Sequence, residues 1–248
     1  MRLVPRSRRN SAATTIAAAL ALLLVVPASG WAGTASFGSF SANPGEVNSM
    51  TVTANPGSVI FTDANNPIVA TAPECVNDGP NTAVCSIGIG FGFWSASLDD
   101  GNDGLTALGS VGGSIDGGSG DDTLVGSYDN VCGEILSGGD GNDSINSGNA
   151  VMTPEGFPSG DVASGGEGND SVLTGSGNDF AGGGGGTDVV VTGAGDDNGD
   201  GGAAHGHPVD LGPGHDSSSD RGDGNNESYD GGEGFGHDRF REVTSRID

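Results

Sequence analysis

The chain has 248 residues, of which 49 are Gly and 33% are hydrophobic, too few apolar side chains for the packed interior of a conventional enzyme. Its formal net charge is −25, and the eight basic residues are all Arg, with none between Asn10 and Asp220. Such a chain repels nucleic acid and anionic membrane, which are bound through cationic side chains; its natural counter-charges are metal cations.

Residues 1–30 read as an export signal. MRLVPRSRRN is a basic region, Ile16 to Val26 is an apolar run of eleven, and PASGWAG offers small residues for cleavage after Gly30 or Ala32. The run is too short for a membrane anchor, which needs about 20 apolar residues. The Ser7-Arg8-Arg9 triplet hints at a twin-arginine signal, although Ser11 stands where an aromatic would strengthen that reading. Removal of the segment takes four Arg with it and brings the charge near −29. An extracellular destination follows as an expectation.

Residues 31–97 form a β-rich N-terminal cap. SMTVTA, GSVIFTDA, NPIVATA and CSIGIGFGFWSASL are rich in Val, Ile, Thr and aromatics and are broken by NPG, NNP and DGP turns. The alternation in CSIGIGFGFW predicts a strand with one packed face, running straight into the next region. In an oxidising compartment Cys75 and Cys85 are the natural disulfide pair, with Cys132 left over; the other reading is three small buried thiols.

Residues 98–219 are a repeat array, and 220–248 a degenerate repeat and tail. The unit G-G-x-G-x-D-x-U-x, with U apolar, stands complete as GGSGDDTLV (117–125), GGDGNDSIN (138–146), GGEGNDSVL (165–173) and GGGGTDVVV (183–191). Looser copies are LDDGNDGLT (98–106), TGSGNDFAG (174–182), TGAGDDNGD (192–200) and LGPGHDSSS (211–219). Asp143, Asp161, Asp170, Asp179, Asp188 and Asp197 lie on one nine-residue grid, broken inside that span only at Met152. Outside it Asp103, Asp122, Asp216 and Asp238 follow at wider spacings.

These motifs resemble the repeats-in-toxin (RTX) family of haemolysin-type calcium-binding nonapeptides. The β-rich region with its Cys pair also resembles secreted actinobacterial members of that class. The resemblance implies an all-β, right-handed parallel β-roll in which GGxGxD is a turn and xUx a short strand. Two units make one coil, so alternate turns stack about 4.8 Å apart if spaced like neighbouring strands. Two carboxylates at that distance repel by roughly 3.5 kcal/mol at an effective dielectric near 20, so a column of them calls for a cation between each pair. Carboxylate and carbonyl oxygens are hard donors that suit Ca²⁺; Mg²⁺ demands a tighter octahedron, and Zn²⁺ favours His or Cys.

The expected Ca²⁺ ligands are Asp103, Asp122, Asp143, Asp161, Asp170, Asp179, Asp188, Asp197, Asp216 and Asp238, with 143/161, 161/179, 179/197 and 170/188 as the stacked pairs. Leu105, Leu124, Ile145, Ala163, Val172, Ala181 and Val190 are the expected core. That core is expected to fade after about residue 195, where the register yields Gly199 and Ser218, with Phe240 restoring it once.

Competing constellations are weaker. Asp196–Gly201 matches the first half of an EF-hand loop, but position twelve is His207. Arg221-Gly222-Asp223 spells an adhesion triplet. His205, His207 and His215, with Asp210 and Asp216, suggest a zinc site. G-x-S-x-G and H-E-x-x-H do not occur, and the cap has no His, so no enzyme is expected. The expectation is a secreted protein whose roll folds on binding Ca²⁺, with no nucleic-acid partner and no membrane insertion. The alternatives are a calcium-dependent adhesin or structural module with a cell-surface or glycan partner, and an ice-binding roll, suggested by the Thr that open TGSGND and TGAGDD. Low cytosolic calcium favours export as an unfolded chain, and so the general secretory route.

Overall fold

The computed structural model describes residues 32–88, 93–128, 133–149, 159–202 and 208–219, and the strand backbones Ser228–Asp230 and Arg239–Arg241. The signal segment, Cys132, the adhesion triplet, His205, His207 and Asp238 lie outside the described residues. Among the described residues all regular structure is β, in two sheets of eleven strands each.

The N-terminal region begins this architecture with antiparallel pairing. Pro56-Gly57 turns strand Ser49–Asn55 back into Ser58–Asp63, with Gly57 at φ 91°, the conformation that the third residue of a type II turn requires. Thr82–Ser86 adds to Ser58–Asp63, and Cys75–Asn77 to Thr82–Ser86, where directly opposed Cys75 and Cys85 form a disulfide. CSIGIGFGFW is not the single strand its alternation predicts. Thr82–Ser86 lies in one sheet and Trp94–Ser97 in the other, so the segment crosses between sheets.

From there the chain coils, each coil giving one strand to each sheet in parallel register. The first sheet stacks Trp94–Ser97, Gly113–Ser119, Ile135–Asp140, Val162–Glu167, Phe180–Gly185 and Asn198–Asp200. The second stacks Gly104–Gly109, Thr123–Val125, Ser144–Asn146, Ser171–Leu173, Val189–Val191 and Pro208–Asp210. Both run without a break into the N-terminal region, through Ser49–Asn55 against Gly104–Gly109 and Ser39–Ser41 against Trp94–Ser97. This is a parallel β-roll.

Strands of three residues point a single side chain inward, which makes the core thin. Leu105, Leu124, Ile145, Val172, Val190 and Val209 line it from the second sheet, and Ala96, Ile115, Leu136, Ala163 and Ala181 from the first; all are buried. Beyond residue 195 the core does not fade as expected: Val209 and Leu211 are buried and fill the space over Gly199, where an added Cβ would press on both. Each such Leu, Ile or Val stabilises by about 1.5–3 kcal/mol, offset by the cost of ordering every residue of its coil. A coil with so little core depends on what its turns bind.

Candidate metal centre

Within each GGxGxD turn the glycines answer two different requirements. The second and fourth positions adopt positive φ, as at Gly166 (121°) and Gly168 (135°), which side-chain-bearing residues avoid. The first position needs room instead. A Cβ on Gly117, Gly138, Gly165 or Gly183 would collide with the Asp carboxylate of its own turn, at Asp122, Asp143, Asp170 and Asp188 respectively. It would also lie 2.5–2.6 Å from the carbonyl oxygen of Gly138, Gly165, Gly183 or Gly201, one coil on. Each turn therefore holds a carboxylate oxygen and a carbonyl oxygen facing a common gap.

The aspartates form two ladders, one along each edge of the roll. In the first, the Asn48 N–H donates to Asp103 Oδ1, Asp103 N–H to Asp122 (2.8 Å), Asp122 to Asp143 (2.8 Å), Asp143 to Asp170 (2.8 Å) and Asp170 to Asp188 (2.9 Å). In the second, Glu134 N–H donates to Asp161, Asp161 to Asp179, Asp179 to Asp197 and Asp197 to Asp216. The pairs 161/179, 179/197 and 170/188 stack as expected. The pair 143/161 does not: Asp143 meets Asp170, 27 residues on, and Asp161 meets Glu134, also 27 away. This coil is one nonapeptide longer than the coils that follow it, and an insertion of nine leaves the numerical grid intact while moving Asp161 to the opposite edge.

Outside Glu134 and Asp161, whose two oxygens are both bonded, the ladders use only half of the carboxylate. Oδ1 accepts the incoming N–H, whereas Oδ2 of Asp103, Asp122, Asp143 and Asp170 on the first ladder, and of Asp179 and Asp197 on the second, is buried with no hydrogen-bond donor. Burial pushes the carboxyls of Asp103, Asp122 and Asp170 up to about 6 and that of Asp179 to about 7. The ladder N–H eases this, and like-charged neighbours add to it. Asp143, Asp161 and Asp197 rise for the same leading reason. With no cationic side chain between Asn10 and Asp220, ionised columns require a cation from solution.

The donors fit calcium. They are carboxylate and main-chain oxygens, and among the described residues no three His, Cys, Asp or Glu side chains gather to hold a metal. Carbonyls must therefore complete any coordination shell.

Residues 114–130, 133–150, 155–190 and 164–198 match the family model for the RTX calcium-binding nonapeptide repeat, in four copies. The repeats within residues 114–198 are RTX-type calcium-binding nonapeptides. No curated protein and no solved structure matches it.

Two features of this RTX roll were missed in the sequence. Glu134 occupies an Asp place in the second ladder, buried, with Ser127 N–H and hydroxyl bonded to its two oxygens. The echo of Gly133-Glu134-Ile135-Leu136-Ser137-Gly138-Gly139 in Gly160-Asp161-Val162-Ala163-Ser164-Gly165-Gly166 was the available signal. The residue before each Asp also forms an outer ladder: Asp121 N–H donates to Asn102, Asn142 to Asp121, Asn169 to Asn142 and Thr187 to Asn169. There the Asn142 N–H holds the exposed Asp121 carboxyl below the usual carboxylate range.

Three competing readings are corrected. Asn198–Asp200 is a strand and Asp197 a ladder residue, so Asp196–Gly201 is no EF-hand loop. Of the zinc constellation, His205 and His207 lie outside the described residues; exposed His215 belongs to the outer ladder, bonded through its N–H to Asp196, while Asp216 is buried, so these two do not converge. Thr174 and Thr192 are fully buried, with their hydroxyls on carbonyls, and cannot form an ice-facing ladder.

Proposed function

We propose that this is an exported protein whose roll folds on binding calcium outside the cell. One observation carries the reading: buried Asp Oδ2 atoms face next-coil carbonyls across gaps that only glycine leaves open. Asp122, Asp143, Asp170 and Asp188, with turn carbonyls, would hold the ions, which supply the positive charge that the columns lack. The chain's own part is to hold Oδ1 on the ladder N–H, turn Oδ2 inward and exclude water with the neighbouring coil. Without the ion, ionised columns in so thin a core destabilise the roll, which makes binding and folding one equilibrium. Affinity in the extracellular range, about 10⁻⁴–10⁻³ M per site, follows from that coupling. The apolar run Ile16–Val26 behind four Arg supports export, and no catalytic role is proposed.

Circular dichroism of the chain during a calcium titration from zero to about 10 mM, with magnesium as control, tests this, the range spanning extracellular affinities. A cooperative gain of β signal with calcium alone is expected. An unchanged spectrum would remove the reading.

A second reading, calcium-dependent adhesion, has one observation in its favour. Ile135, Val162 and Phe180 stand in register on the outer face of the first sheet, 47%, 43% and 47% exposed, and Phe180 lines a shallow groove with Glu167 and Asp200. Calcium-dependent binding to immobilised glycans, lost in Phe180→Ser, would establish it.

A further inference from the structure

The two edges of the roll differ at the one position that decides whether a gap exists. On the first edge the four turns described above open with Gly117, Gly138, Gly165 and Gly183. On the second edge the corresponding residues are Gly126, Ser147, Thr174, Thr192 and Leu211, as the strand register shows: Gly126 N–H bonds to Asn146 O, Ser147 to Leu173 O, Thr174 to Val191 O and Thr192 to Asp210 O. Each donor reaches the residue just before the next turn opener.

From this register we infer that calcium binds along the glycine edge alone, the second edge being closed by a buried hydroxyl ladder that takes the place of the ions. The inference rests on the calcium-binding reading above. Ser147 Oγ lies 2.8 Å from Asp161 Oδ2 and 3.0 Å from Thr174 O. Thr174 Oγ1 donates to Thr192 O at 3.0 Å, and Thr192 Oγ1 to Leu211 O at 3.0 Å. These are the carbonyls equivalent to those of Gly138, Gly165, Gly183 and Gly201, which face the gaps on the first edge. A hydroxyl therefore sits where the glycine edge has space, bonded to the oxygen that an ion would need.

The ends of the second edge are closed in other ways. Gly126 does leave a gap, into which Glu134 reaches, and Ser127 N–H (2.8 Å) and Oγ (3.1 Å) bond its two carboxylate oxygens. At the far end Leu211 fills the position with a buried apolar side chain. On the second edge Asp179 Oδ2 and Asp197 Oδ2 are also buried without a donor, but the carbonyl with which each would share an ion is taken by a Thr hydroxyl, whereas on the first edge the chain supplies no such substitute.

Equilibrium dialysis with radioactive calcium, carried to saturation, counts the ions bound at sites on the folded chain. Four or fewer are expected, one for each of Gly117, Gly138, Gly165 and Gly183; five or more would overturn the edge assignment. Zero would instead remove calcium binding itself, so the two failures are distinguishable. Thr174→Gly with Thr192→Gly should open two gaps and raise the count by two, and a folded variant with no gain would also overturn the assignment. If that variant fails to fold, Thr174→Val with Thr192→Val keeps the shape and removes the hydroxyls. An unchanged count is then expected, whereas a loss of ions would make the hydroxyls ligands and overturn the proposal.

Discussion

Each ladder aspartate is buried and accepts an N–H from the preceding coil, and its ionisation records the cost of that burial. The folded carboxyls of Asp103, Asp122 and Asp170 lie at about 6 and that of Asp179 at about 7, above the unfolded value near 3.9. Between about pH 4 and 7 the folded roll therefore holds more protons than the unfolded chain. Metal-free stability is then greatest at the acidic end and falls as the pH rises through 6 to 7. In the presence of a chelator, circular dichroism should show β signal near pH 5 that is lost near pH 7.5; retention of the signal at the higher pH would contradict this. The turn-opening glycines make a second residue-scale prediction. Gly165→Ala places a methyl against Asp170 and the Gly183 carbonyl and should raise the calcium midpoint at least tenfold, or ~1.4 kcal/mol. Gly182→Ala meets nothing within 4 Å and should leave the midpoint within about twofold, roughly the 0.4 kcal/mol scale of harmless Gly→Ala changes.

At the scale of the element, a coil is two turns and two short strands with one inward side chain apiece. Leu124→Ala should cost about 2–5 kcal/mol in calcium-saturated thermal unfolding, whereas Val189→Ala, on the exposed outer face, should stay within about 0.5 kcal/mol. Similar losses at the two sites would mean that the thin core is not what holds the coil. Much of this was legible in the sequence, because a nine-residue count maps directly onto ladder Asp and inward Leu, Val or Ala. What escaped did so for physical reasons. An inserted nonapeptide preserves the count and swaps edges, which hid the Asp143–Asp170 and Glu134–Asp161 pairs. Ile115 and Leu136 point inward from strands that no complete GGxGxD turn precedes, so the motif did not mark them. Thr174 and Thr192 read as surface residues because Thr usually is one, and only the register shows their hydroxyls inside.

Over the whole molecule the N-terminal region and the repeats share both sheets, so the cap is the first layer of the roll. The Cys75–Cys85 disulfide closes a loop of ten residues' separation, worth about 3 kcal/mol on the chain-entropy estimate. Reduction should lower the thermal midpoint while leaving the calcium response in place; loss of the response would mean that the cap depends on the disulfide to keep its place in the two sheets. The ladders also have a direction. Asn48, fixed in the cap, gives its N–H to Asp103, and each Asp from Asp103 to Asp170 gives its own to the coil that follows. In the language of one-dimensional polymers the roll is a chain of nearest-neighbour couplings with one end already set. Ordering should therefore advance as a front from cap to tail, and a coil leaving a membrane pore cap-first would set behind it like a ratchet, unable to slip back.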